Sequence, residues 1–377
     1  MPPWLHPRAA YVHVPFCAHH CGYCDFAVTA GQDQLMTLYV EALGQELATL
    51  SEPCPVDTVF IGGGTPTYLT PPLLERLLAE IRRWLPLHAS GEWSIEATPE
   101  SLDAGKVALL ADHGVTRVSI GAQSFHPQLL QRLERIHNPD DVPRAVECVR
   151  ERIAQVSLDL IFGVPGQSVD DWDRDLRRAL RLQPEHVATY GLTYEKGTPL
   201  WKRWQGGQVQ PLGEDDELAM YCRAMDVLSA AGFEHYEVSN FARPGRRCRH
   251  NQVYWANHAY FGFGVGAARY VQGRREMNTR DTHGYIRRVF AGEKPLLQAE
   301  ELPPEERARE TLALQLRRAD GVRRGEFQEQ TGFDLDALAG AKLRQHAELG
   351  LIEDNGACVR LTRSGKCVAD ALMAELL

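Results

Sequence analysis

The chain has no apolar run near the ~18 residues that a membrane span requires, and no basic, apolar leader opens it. Positive charge is also short: 41 lysines and arginines stand against 50 aspartates and glutamates, a net charge of −9. That balance lacks the basic footprint by which nucleic-acid-binding domains hold phosphates, so no nucleic-acid partner is expected. Cysteine is odd in number, at nine, which excludes a fully paired disulfide framework and favours reduced, metal-binding thiols. No dinucleotide fingerprint follows the first predicted strand, and the glycine run at Gly62 lacks the lysine of a phosphate loop. What is present is ordinary for a globular protein: 44% hydrophobic and 24% charged residues over 377 positions. That length suits one large domain and a smaller one, and the whole pattern points to the cytoplasm.

The distinctive stretch is Cys17-Ala18-His19-His20-Cys21-Gly22-Tyr23-Cys24, which follows the strand-like Ala10–Phe16. Thiols at these spacings on one loop can converge on one inorganic centre. A structural zinc wants four protein ligands, as does an electron-transfer [4Fe–4S] cluster; three thiolates on a cluster leave one iron open. Zinc completed by His13, His19 or His20 is the other arrangement the triplet permits.

Downstream, short apolar runs alternate with helical periodicities. Strands are expected at 56–61, 93–97, 117–121, 156–162 and 186–192, and helices at 34–50, 71–85, 101–113, 142–153 and 169–182. Six β/α units without a dinucleotide loop predict an open, partial barrel with its site at the C-terminal strand ends. The unusual residues fall there: Cys17, Gly62 to Thr65, Glu96, Gln123 and Asp159. Residues 1–294 are read as this core and its extension. Residues 295–304 read as a linker, and 295–377 as a smaller module of helices and a hairpin turned at Asn355-Gly356, winged-helix-like in pattern. Gly262 to Ala267 superficially matches a dinucleotide loop but has no β-α-β unit behind it, and is read as a close-packed turn.

The spacing C-x3-C-x2-C resembles the signature of the radical S-adenosylmethionine (SAM) enzymes. The resemblance implies a [4Fe–4S] cluster on Cys17, Cys21 and Cys24, with SAM chelated at the open iron and cleaved to a 5′-deoxyadenosyl radical. Within that superfamily, Y-x-H-x-P-F-C, G-G-G-T-P-T, I-E-x-x-P, G-x-Q-S-F, R-I-H and D-L-I-x-G-x-P-G-Q, spanning residues 11–167, are similar to the coproporphyrinogen III dehydrogenase subgroup. By motif match, Tyr11, Gly63, Gly64, Thr65, Glu96, Gln123, Arg135 and Asp159 take the SAM-contacting positions.

Two departures separate the chain from the dehydrogenase: Phe26 stands where that enzyme has a fourth cysteine, and only sixteen residues precede Cys17. Both match the HemW-type heme chaperones, as does His250-Asn251-Gln252-Val253-Tyr254-Trp255, an H-N-x-x-Y-W motif. This resemblance implies heme b carried toward acceptor hemoproteins, respiratory and membrane-associated ones among them, by a monomer or dimer. His250, Asn251, Tyr254 and Trp255 are then the candidate heme residues. His250 could ligate iron or could be a hydrogen-bonded core residue, Cys248 is a second candidate ligand, and Arg243, Arg246, Arg247 and Arg249 could meet propionates. Oxidative decarboxylation of coproporphyrinogen III, or radical chemistry on heme, are the enzymatic alternatives.

Overall fold

The computed structural model describes residues 2–377. Six parallel strands run consecutively across the main sheet: β1 (Ala9–Val14), β2 (Val56–Gly63), β3 (Leu87–Ala97), β4 (Arg117–Gln123), β5 (Gln155–Phe162) and β6 (His186–Gly191). An antiparallel hairpin, β7 (Glu234–Glu237) and β8 (Asn240–Ala242), extends the sheet beyond β6, and β9 (Phe261–Phe263) adds a parallel strand outside β1. The order is β9-β1-β2-β3-β4-β5-β6-β8-β7, and its two ends do not pair among the described residues. The six-unit partial barrel expected from the sequence is therefore present, with extra strands on both edges.

The strands have a strict inside and outside because successive side chains alternate across a sheet. Val12, Val59, Ile61, Ile95, Val118, Ile120, Leu158 and Leu160 point outward and pack with Leu43, Leu47, Leu74, Leu78, Val149 and Leu176 of the surrounding helices. The opposite alternation is polar: Tyr11 and His13, Thr58, Glu92 and Glu96, Arg117 and Ser119, Ser157 and Asp159, His186 and Tyr190. The apolar core thus lies between sheet and helices, and the interior is left open for ligands.

Helices start and stop where local chemistry says. Ser168 and Asp171 form a capping box at Val169–Arg181, with Arg178 and Arg181 in the last turn. The helix expected from Ser101 begins later, at Ala104, because Pro99–Ser101 takes a tight 3₁₀ turn and the Asp103 carboxylate caps the Lys106 N–H. Gly114 ends it at φ 93°.

The expected linker at 295–304 is corrected. Leu296–Glu301 is a strand, antiparallel to Arg274–Asn278, with Arg274 opposite Glu301 and Arg275 opposite Glu300. Opposite charges facing each other across the ladder suit this polar segment to an edge strand, while the ion pairs of the two arginines run to Glu276 and Glu310. A second hydrophobic cluster, separate from the barrel core, then runs from Ala308 to Leu376, with Leu312, Phe327, Leu343 and Val359 at its centre. It holds the helices Pro304–Leu316, Arg324–Thr331 and Leu335–Glu348 and a three-stranded sheet whose hairpin turns at Gly356, φ 81°. Gly262 and Gly264 are close-packed as expected: a Cβ on Gly262 would lie 1.8 Å from the Ala268 carbonyl oxygen.

Candidate functional site

The cysteine loop is pinned at its base and pressed against the glycine run. Phe16 and Cys17 pair in parallel with Thr29 and Ala30. The β1–β2 ladder continues past the strands, with Gly64 N–H donating to the Val14 carbonyl at 2.8 Å and Thr65 N–H to the Phe16 carbonyl at 2.8 Å. That register brings the Thr65 hydroxyl to 3.3 Å from Cys17 Sγ. A Cβ on Gly64 would meet the Pro15 carbonyl oxygen at 2.6 Å, so only glycine lets the two segments approach this closely.

All three thiols line one cavity of about 570 Å³ at the C-terminal ends of the strands, together with Gly63, Gly64, Thr65, Glu96, Gln123, Arg135 and Asp159. Among the residues that the motifs marked for SAM, Tyr11 is the exception. It lies one layer deeper, its hydroxyl 3.0 Å from His13 Nδ1, and it faces a second cavity. The inward alternation of β1 puts it there.

Glu96 closes β3 and accepts the Gly63 N–H at 2.9 Å. Its enclosure disfavours the charged form and pushes the carboxyl up to about 8, against the pull of the Gly63 N–H, with Asp159 adding to the rise. Burial also raises Asp159, to about 6, although the Ser119 hydroxyl donates to it at 3.0 Å and Ser157 lies close. Two carboxyls held short of full ionisation in one wall are ready partners for a ligand ammonium or hydroxyl. Arg135 donates to the Gly121 carbonyl at 3.1 Å and stands 3.7 Å from Cys21 Sγ, while its Nε has no partner. Gln123 sits at φ 60°, just past a shift in the β4–β5 register, and that left-handed backbone ends the strand at the cavity.

The thiol set suits a cluster. Burial raises Cys17 to about 12 and Cys24 to about 11, so the bare loop holds neutral thiols that only a coordinated metal would ionise. Zinc fits less well. His13 spends both ring nitrogens, on Tyr11 and on the Ala27 carbonyl at 2.9 Å, and His20 faces the Cys24 carbonyl at 3.2 Å.

The second cavity, about 470 Å³, adjoins the first through Phe26, Glu96, Ser119, Asp159 and Tyr190. Phe60, Tyr254, Trp255 and Tyr260 give it aromatic walls, and His250 and Asn251 line it. Phe26, in the place of the dehydrogenase's fourth cysteine, is 62% exposed and borders both cavities.

Similarity to known proteins now bears on this geometry. Residues 11–179 match the Radical SAM superfamily and residues 302–368 the HemN C-terminal domain. The heme chaperone HemW of Bacillus subtilis (strain 168) is 37% identical over 376 residues, covering 98% of this chain and 99% of the relative. The chain belongs to the HemW family of radical SAM proteins. HemW of Escherichia coli (strain K12) is 32% identical across 99% of both chains, and a bovine mitochondrial radical SAM domain-containing protein is 34% identical over 98% of this chain and 87% of its own. The solved structure of Escherichia coli coproporphyrinogen III oxidase, HemN, a radical SAM enzyme, superposes with a TM-score of 0.86, covering 99% of this chain and 90% of that one, at 21% identity. That likeness shows the shared fold. Membership of the HemW family implies the [4Fe–4S] cluster and SAM.

Within the HemW family motif, the geometry of His250 matches the hydrogen-bonded core residue, one of its two readings. The side chain is fully buried. Its Nδ1 lies 2.9 Å from Thr58 Oγ1 and its Nε2 2.8 Å from the Tyr254 hydroxyl, so neither nitrogen is free for iron. Cys248 is 2% exposed, its thiol 3.5 Å from Glu92 Oε1 and pushed up by burial. The upstream arginines are also corrected: Arg247 pairs with Glu234 and Asp320, Arg243 donates to the Ala231 carbonyl, and Arg249 to the Ser90 carbonyl. None of the four lines the second cavity.

Two residues escaped the sequence reading. Ser119 holds Asp159, and Arg117 lies one inward step below it on β4. The period-2 spacing from Gly121 was the available signal. No helix among the described residues is long and apolar enough to cross a membrane.

Proposed function

We propose that the protein binds heme b and hands it to acceptor hemoproteins, respiratory and membrane-associated ones among them, with a [4Fe–4S] cluster on Cys17, Cys21 and Cys24 and SAM in the adjoining cavity. A three-thiolate cluster supplies an open iron to chelate SAM and an electron for its reductive cleavage. Glu96, Gln123, Arg135 and Asp159 are the groups that would orient SAM: carboxylates for an ammonium or ribose hydroxyl, a guanidinium for a carboxylate. Gly63 and Gly64 present backbone without Cβ atoms. Tyr11 acts indirectly, by holding His13 beside Gly63.

The observation that carries the heme reading is the second, aromatic-walled cavity in a chain that matches HemW proteins along its whole length. Flat apolar faces suit a porphyrin. His250 is a positioning residue in this reading: through Tyr254 it sets one wall. Phe26 argues against the decarboxylating dehydrogenase, because it puts an exposed aromatic ring where that enzyme has a thiol.

The test is titration of the anaerobically reconstituted protein with heme, followed by transfer to an apo-hemoprotein. Saturable binding and loss of heme to the acceptor are expected. Failure to bind heme, with cluster and SAM in place, overturns the reading.

A further inference from the structure

Three residues that line the second cavity carry buried polar atoms without a partner among the described residues. Trp255 Nε1 and Asn240 Oδ1 line it unpaired. Arg117, which is 1% exposed and lines the same cavity, has two such atoms. Its side chain shares the inward face of β4 with Ser119 and Gly121.

One nitrogen of that guanidinium carries all its contacts. Nη2 faces Glu92 Oε2 at 3.1 Å, Gln155 Oε1 at 2.9 Å, and the carbonyl oxygens of Arg246 and Arg247 at 3.0 and 3.2 Å. Nε and Nη1 have no acceptor among the described residues. A guanidinium carries five N–H donors and stays charged, and leaving such donors dry costs desolvation free energy without return.

Glu92 balances the charge of the guanidinium in a buried ion pair but leaves two of its nitrogens idle. Its carboxylate also receives the backbone N–H of His250 at 3.2 Å and of Arg249 at 3.3 Å, with the Cys248 thiol at 3.5 Å. The cavity's other carboxyls sit higher in the barrel. Glu96 pairs in register with Ser119, one inward layer above Arg117, and Asp159 with Gly121, two layers above. The remaining arginine of the cavity, Arg275, is held by both oxygens of Glu310.

We propose that Arg117 is a ligand-binding residue that takes a carboxylate at the inner end of the second cavity. Resting on the heme reading above, the carboxylate is a heme propionate, and the aromatic walls hold the macrocycle. The arginines that precede the H-N-x-x-Y-W motif thus contribute backbone carbonyls that fix Arg117, and their side chains face elsewhere.

The experiment compares heme with heme dimethyl ester, in which both propionates are blocked, on the reconstituted wild-type protein and on Arg117→Gln. Wild type should bind the ester roughly tenfold or more weakly than heme, the scale of one charge-assisted hydrogen bond. Arg117→Gln should bind heme about as weakly as wild type binds the ester, and should no longer distinguish the two. Equal binding of heme and ester by wild type overturns the proposal and leaves water on Nε and Nη1. So does an Arg117→Gln variant that still prefers heme. The ligand-side comparison needs no variant, so it stands if Arg117→Gln fails to fold. Wild type that binds neither porphyrin overturns the heme reading itself, a distinguishable result.

Discussion

The Gly63 N–H donates to Glu96 Oε2 at 2.9 Å, tying the end of the second barrel strand to the end of the third across the floor of the thiol-lined cavity. A Cβ on Gly62 would lie 2.8 Å from the same carboxylate. Backbone and acid are therefore matched in position, and the acid lines the cavity.

That placement gives a pH dependence. Glu96 is raised to about 8 and Asp159 to about 6, each above its unfolded value. Groups raised in the folded state stabilise it below the unfolded pKa, and the contribution is lost as pH rises through the folded value. The ligand-free protein should lose stability between about pH 4 and 8, by several kcal/mol in all at about 1.4 kcal/mol per pKa unit. Binding of cationic SAM should reverse this by drawing both acids into their charged forms. Calorimetry at pH 7 in buffers of different ionisation enthalpy should show proton release on SAM binding. Glu96→Gln should abolish most of that release and melt at a higher temperature than wild type at pH 8 when ligand-free.

Gly63 lies at φ 115°, and a Cβ there would meet the His13 ring at 2.5 Å. Gly63→Ala should cost about 1–3 kcal/mol from backbone strain and collision with a buried ring. Thermal melting together with SAM titration should show both a lower midpoint and weaker binding. An unchanged midpoint would contradict the packing described.

Cys21 is buried beside Arg135, and its thiol is one of three. Cys21→Ser should remove the visible absorbance of the reconstituted cluster and its bound iron and sulfide. Retention of a full cluster would refute the assignment.

His250 is fully buried with both ring nitrogens hydrogen-bonded. His250→Ala should destabilise the fold by about 2–4 kcal/mol, since Thr58 and Tyr254 lose their partner and a cavity opens. The Soret band of heme bound to the more conservative His250→Gln should keep the wild-type axial-ligand signature. A changed ligand signature in that variant would return His250 to the iron.

With Phe26 in place of a cysteine, the reconstituted protein supplied with SAM, a low-potential reductant and coproporphyrinogen III should form no protoporphyrinogen. Turnover would show that the fourth thiol is dispensable and restore the enzymatic alternative.

What the sequence determined by itself was the part of the protein encoded locally. The thiol spacing, the glycine run, the alternation of apolar strands and amphipathic helices, and the acids at strand ends all depend on neighbours within a few residues. Cys17, Cys21, Cys24, Gly63, Gly64, Glu96, Gln123, Arg135 and Asp159 accordingly meet at one cavity. The tertiary structure decided whatever depends on partners far along the chain. His250 reads equally as a ligand or as a core residue until Thr58, 192 residues away, occupies one nitrogen. Arg247 reads as a propionate partner until Asp320 takes it, and 295–304 reads as a linker until Leu296–Glu301 pairs antiparallel with Arg274–Asn278. Arg117 shows the reverse: unremarkable at the start of a strand, it becomes a buried cation with idle donors only when Glu92, Gln155 and two distant carbonyls close around it. Whether a polar group is free or spent is set by all of its neighbours, and most of those neighbours are remote in sequence.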